Sequence, residues 1–157
     1  MTTTLEGAHA PPLSDNASRA LTSLLELIQM ESPGTRASVL LLDGDHLRHG
    51  AAPSLPATYN AAIDGLKIGP HVGSCGSAAY RRERVVVNDI ENDPLWRDFK
   101  DLAMGFGLRA CWSQPIFSST GTVLGTFAIY FDQPTAPKGE DLHRIELCAD
   151  IVRALIE

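Results

Sequence analysis

Apolar residues first recur at helical spacing at Ala17, Ala20, Leu21, Leu24, Leu25 and Ile28. Ser14-Asp15-Asn16 supplies N-cap candidates before that stripe, and Ser32-Pro33-Gly34 stops it. Ala37 to Leu42 reads as a buried strand, Asp43-Gly44-Asp45 as a hairpin turn and His46 to Ala52 as the returning strand. Pro53 and Pro56 mark a loop, and Thr58 to Asp64 a short helix. A glycine-rich passage from Gly69 runs into the helix-compatible segment Ser77 to Glu83. Arg84 to Val87 is a brief β-branched strand. Asp93 is placed to cap a helix over Leu95 to Met104, with Trp96, Phe99 and Leu102 inward. Arg109 to Phe117 and Thr122 to Phe131 read as strands joined by the turn Ser118 to Gly121. Gly125, inside the second of these, signals a bulge or a close backbone approach. The last helix, Glu140 to Glu157, carries apolar residues over an arc of roughly 200°, wider than one buried face needs. Such a helix meets two surfaces: the sheet, and either a symmetry mate or the first helix.

The order is helix, hairpin, short helices, strand, helix, hairpin, helix. Paired hairpins argue for an antiparallel α+β sheet rather than a parallel one. Residues 1–13 are polar, small and Pro-containing and are expected to form a disordered tail, with a single domain over residues 14–157. The final helix is still running at Glu157, which suggests a downstream partner or domain.

Composition narrows the partners. The chain has 157 residues, 44% hydrophobic and 20% charged, with a net charge of −6. That is an ordinary globular composition with enough length for one core. An acidic chain without a Lys/Arg run is no general nucleic-acid surface. No stretch reaches the roughly 20 apolar residues of a membrane span. The N-terminus lacks the features of a signal peptide. Three widely spaced cysteines without a Cys-x-x-Cys pair disfavour structural zinc and fit a reducing, cytoplasmic compartment.

The stretch Gly69-Pro70-His71-Val72-Gly73-Ser74-Cys75-Gly76-Ser77 is the main candidate for chemistry. Glycines before a helix leave its first N–H groups uncovered, and the helix dipole adds partial positive charge there. Such an end can hold an anion. The structural alternative is that Ser74 only caps the helix.

Five segments in order carry a family resemblance: Gly69-Pro70 with Gly73-Ser74-Cys75-Gly76-Ser77-Ala78; Val85-Val86-Val87-Asn88-Asp89-Ile90; Asp93-Pro94-Leu95-Trp96; Gly107 to Ile116; and Val123 to Tyr130. Over roughly residues 18 to 157 this series resembles GAF domains, those of bacterial histidine kinases and cyclic-dinucleotide enzymes and the stand-alone nitrate receptors. The resemblance implies an antiparallel sheet of five to six strands. Terminal helices would pack on one face and mediate a homodimer; short helices would close a ligand pocket on the other. It also implies a small-molecule sensor that acts on a histidine kinase or another effector domain.

For an anion such as nitrate, the expected site is Gly73, Ser74, Cys75, Gly76 and Ser77. Tyr59, Trp96, Trp112 and Ile116 are expected as walls and Arg109 as a charge partner. Each aromatic has the alternative of being a core residue, and Arg109 of being an edge charge. A second reading is an enzyme. One GAF branch reduces free methionine sulfoxide, and its Cys-Gly is similar to Cys75-Gly76. The departure lies in Glu91 to Asp98, which has no cysteine where that branch has one; a buried, inert Cys75 is the alternative. Bilin attachment lacks its Cys-His pair. Haem would depend on His71, since His9 is in the tail, His46 and His49 lie near a turn and His143 is on a polar face. Cyclic nucleotides remain open as ligands. The fourth reading is a ligand-free dimerisation module.

Overall fold

The computed structural model describes residues 13–157. The expected tail falls outside them except for Leu13, which packs against the core on the helix side. Helix α1 spans Asp15–Glu31, and Ser14 caps it by accepting from the Ala17 amide at 3.1 Å. Strands β1 (Thr35–Asp43) and β2 (His46–Ala51) form the first hairpin. Helix α2 (Ala57–Ile63) and a two-residue strand β3 (Leu66–Lys67) follow. Then come α3 (Cys75–Arg81) and β4 (Val85–Val87). A 3₁₀ turn (Pro94–Trp96) and α4 (Lys100–Gly105) precede the second hairpin, β5 (Ala110–Phe117) and β6 (Val123–Phe131). Helix α5 is Asp141–Ile156.

The six strands form one antiparallel sheet in the order β3-β2-β1-β6-β5-β4. The sequence pattern missed β3, which is too short to show a period of two. The two central strands, β1 and β6, pair over Thr35–Leu41. Gly125 lies in that pairing, and a Cβ there would collide with the Leu40 carbonyl oxygen. The mid-strand glycine therefore marks a close backbone approach.

Strand alternation divides the core in two. Phe127 and Ile129 of β6, Trp112 and Ile116 of β5 and Ala37 and Val39 of β1 meet Leu21 and Leu25 of α1 and Ile145, Ala149 and Val152 of α5. Ala128 and Tyr130 of β6, Cys111 of β5 and Leu40 of β1 face the short helices instead. The two-sided arrangement implied by the resemblance is the one observed. The wide apolar arc of α5 is not fully covered within one chain: Leu147 and Ile151 are about half exposed, as are Leu27 and Met30 of α1 to a greater degree.

The single helix expected over Leu95 to Met104 is broken. The amides of Trp96, Arg97 and Phe99 each bond the carbonyl three residues back, at Asp93, Pro94 and Trp96. This tighter winding turns Trp96 inward, where it is buried. Asp93 caps the turn as expected, accepting from the Leu95 amide at 2.9 Å.

Candidate functional site

The site is built where the glycine passage crosses the cavity-side face of the sheet. Gly73 adopts φ +59°, a left-handed conformation that favours glycine, and its N–H donates to the Leu95 carbonyl at 2.8 Å. That bond ties the passage to the segment carrying Trp96. Ser74 already has helical dihedrals and makes no side-chain cap. Its hydroxyl, fully buried, accepts from the Trp96 indole Nε1 at 3.0 Å and donates to the Cys111 carbonyl at 2.8 Å. Ser74 therefore bridges two segments and does not cap the helix. Ser77 is also engaged: its Oγ accepts from the Val72 amide at 2.9 Å.

Between the start of α3 and the sheet lies a cavity of about 20 Å³. Its walls include Tyr59, Val72, Gly73 to Gly76, Trp96, Phe99 and Tyr130. Room for about one water is left. Val72 folds over Gly76 and narrows the cavity: a Cβ at position 76 would stand 2.6 Å from the Val72 Cγ1. Tyr59 and Tyr130 meet edge to face, and their hydroxyls share a hydrogen bond at 3.1 Å. Burial is the main reason both phenols are pushed far above their ordinary pKa.

The structure thus brings Tyr59, Gly73, Ser74, Cys75, Gly76 and Trp96 to one cavity. Ser77 is not among its lining residues, and three other expected residues lie elsewhere. Trp112 and Ile116 occupy the opposite side of the sheet, because Cys111 and Ser113 hold the cavity-facing positions of β5. Trp112 Nε1 donates to the Thr135 carbonyl at 3.1 Å, and its ring packs on Phe131. Arg109 is one-third exposed and pairs with Glu91 at 3.1 Å, away from the cavity. No Lys, Arg or His, His71 included, is among the residues lining it. Trp112 instead lines a wider hollow of about 150 Å³ beneath α1 and α5, together with Ile28, Arg144 and Cys148.

Sequence reasoning missed what lies beneath the start of α3. Cys111 is fully buried and its thiol lies beside that of Cys75. That neighbour is the largest influence on Cys75, whose pKa is lowered despite burial; the nearby Ser113 and Thr126 hydroxyls lower it further. Cys111 is pushed up, by burial first and then by the neighbouring Cys75. Ser113 and Thr126 are themselves fully buried, and neither hydroxyl makes a hydrogen bond of ordinary geometry. The alternation Cys111, Ser113 on β5 and Thr126, Ala128, Tyr130 on β6 was the available signal. It needed the knowledge of which face α3 covers.

The chain belongs to the GAF domain family, whose model matches residues 13–157. It is 38% identical over 136 residues to the methyl sulfide methyltransferase-associated sensor of Methanosarcina acetivorans. That match takes in 85% of this chain but only 14% of the relative's length. Among solved structures, it resembles a domain assigned to a two-component sensor histidine kinase of Sinorhizobium meliloti 1021. The TM-score is 0.72 at 24% identity, covering 90% of this chain and 91% of that one. It also resembles the type II free methionine-R-sulfoxide reductase of Thermoplasma acidophilum, with a TM-score of 0.71 at 19% identity, covering 90% and 93%. Identities this low establish a shared fold. Among the described residues, no helix is long and apolar enough to cross a membrane.

Proposed function

We propose that this GAF domain is the sensing module of a signal-transduction protein and that its ligand enters the cavity between the start of α3 and the sheet. The observation that carries the reading is the convergence of Tyr59, Gly73 to Gly76 and Trp96 on one small, mostly apolar hollow. The name of the archaeal sensor and the histidine-kinase origin of one structural neighbour support it. A volume of about 20 Å³ admits no ligand larger than a water, so Val72 and Trp96 swing aside on binding. Ligand energy spent on that displacement is what couples occupancy to shape. The apolar, cation-free lining favours a small neutral molecule over nitrate, for which only hydroxyl and amide donors would be at hand.

The exposed residues Leu27, Met30, Leu147 and Ile151 support a homodimer through the terminal helices. Movement at α3 would reach α5 through β5 and β6, and from there a kinase or another effector domain. A thermal-shift screen with nitrate, nitrite, cyclic nucleotides, haem and methionine sulfoxide tests the sensing role. A true ligand stabilises by about 2.7 kcal/mol at a hundredfold excess over its Kd. Leu66→Trp, at the cavity wall, should abolish the shift, and Ile28→Trp, in the helix-side hollow, should leave it. The opposite pattern moves the site to the other face; no shift with any compound favours a ligand-free dimerisation module. The reductase reading keeps one support, Cys75 in the cavity wall. Turnover of free methionine sulfoxide with a dithiol reductant would establish it, and none is expected.

A further inference from the structure

Two thiols meet under α3 although they come from distant parts of the chain. Cys75 is the first residue of α3 and Cys111 the second of β5. Both belong to the cavity-side core, and their thiols are neighbours there. The Ser74 hydroxyl, bound to the Cys111 carbonyl at 2.8 Å, holds the two backbones together at this point. The third cysteine, Cys148, is on α5 across the sheet and packs with the helix-side core. The fold therefore selects one pair out of three thiols.

The surroundings of the pair are unusual for a core. Ser113 on β5 and Thr126 on β6 present buried hydroxyls that bond nothing in ordinary geometry, yet both stand beside Cys75. Orphaned buried donors call for a reason. An anion at the Cys75 sulfur would accept from both, and from the Cys111 thiol as well. A thiolate, not a thiol, is the reactive form. Cys75 also lines the cavity, whereas Cys111 lies behind it and is fully buried. Hydrogen peroxide is larger than the one water this cavity admits, so it reaches Cys75 by the same displacement of Val72 that a ligand would need, and Cys111, behind it, is placed to resolve the product.

We propose that Cys75 and Cys111 form a peroxide-responsive dithiol that closes to an intramolecular disulfide. The Cys75 thiolate attacks one oxygen of hydrogen peroxide. An S–O bond forms, the O–O bond breaks, and the departing hydroxide takes a proton to become water, leaving Cys75 as a sulfenic acid. The Cys111 sulfur then attacks the Cys75 sulfur. The S–S bond forms, the S–O bond breaks, and the second hydroxide leaves as water with the Cys111 proton. The dithiol loses two electrons and the peroxide is reduced to two waters. A disulfide is about 2.05 Å long, shorter than any non-bonded approach of two sulfurs, so closure draws the first turn of α3 onto β5. This shifts the wall formed by Ser74, Cys75 and Gly76 whether or not a ligand ever occupies the cavity.

The test uses the whole chain treated with hydrogen peroxide, quenched, denatured and alkylated. Free thiols should fall from three to one, with a mass loss of two hydrogen atoms. Peptide mapping of the wild-type protein should recover one cross-linked peptide pair joining Cys75 to Cys111, released by dithiothreitol. Cys148→Ser should behave the same; Cys75→Ser and Cys111→Ser should each form no such link. Because those two variants alter a packed core, the wild-type map decides if either fails to fold. Three thiols persisting, a link through Cys148, or Cys75 oxidised to sulfinic acid without a partner would each overturn the proposal. None of these outcomes bears on the ligand screen, so the two readings fail separately.

Discussion

The indole of Trp96 donates to the hydroxyl of Ser74, two fully packed side chains whose partnership joins a 3₁₀ turn to the start of α3. Ser74 passes its own hydrogen on to the Cys111 carbonyl. Ser74→Ala removes an acceptor and a donor at once, leaving the indole N–H buried without its partner and taking one donor from the Cys111 carbonyl. A stability loss of about 2–3 kcal/mol is expected by urea titration. Trp96→Phe leaves no polar group stranded except one lone pair on Ser74, and at equal burial its cost should be smaller.

Val72 and Gly76 are mutually exclusive occupants of one space. Gly76→Ala should destabilise by about 1–3 kcal/mol through overpacking, despite the better helix propensity of alanine. Val72→Ala removes the Cγ1 collision but leaves the Val72 Cβ 2.7 Å from the new methyl, so it should restore only part of that loss in the double variant. A double-mutant cycle measures the coupling, which should be favourable and on the order of 1 kcal/mol.

The backbone of β1 leaves no room for a side chain at position 125. Gly125→Ala should therefore cost more than Gly76→Ala, since a backbone carbonyl between two central strands cannot step aside as Val72 can. Thermal unfolding of the two variants side by side checks the order.

The thiol pair should titrate in two separated steps. In a Cys148→Ser background, Cys75 should ionise below the ordinary thiol range and Cys111 above it. The sign follows from the donor: Cys111→Ala removes the S–H that stabilises the Cys75 thiolate, so the first step should move to higher pH. The phenols that face the pair, Tyr59 and Tyr130, are pushed up and stay neutral through the first step. Ultraviolet thiolate absorbance against pH reads the outcome.

Leu27→Glu with Ile151→Glu should convert a dimer to a monomer in sedimentation experiments. Both positions are half exposed or more in the single chain, so the monomer's own stability should move by no more than about 0.5 kcal/mol.

Local rules sufficed for α1, the two hairpins and the Asp93 cap, because caps, turns and side-chain periods act over a few residues. The order of the motifs was enough to identify a GAF domain. Tyr59, Gly73 to Gly76 and Trp96, all named from the sequence, line one cavity. Four matters were decided only in three dimensions. The break at Trp96 follows from its bond to Ser74, 22 residues away. The exile of Trp112 and Ile116 follows from a register of two that places Cys111 inward. Arg109 found Glu91 rather than the cavity. Cys75 and Cys111 became neighbours because α3 lies across β5 and β6, a contact between segments 36 residues apart that no local spacing encodes.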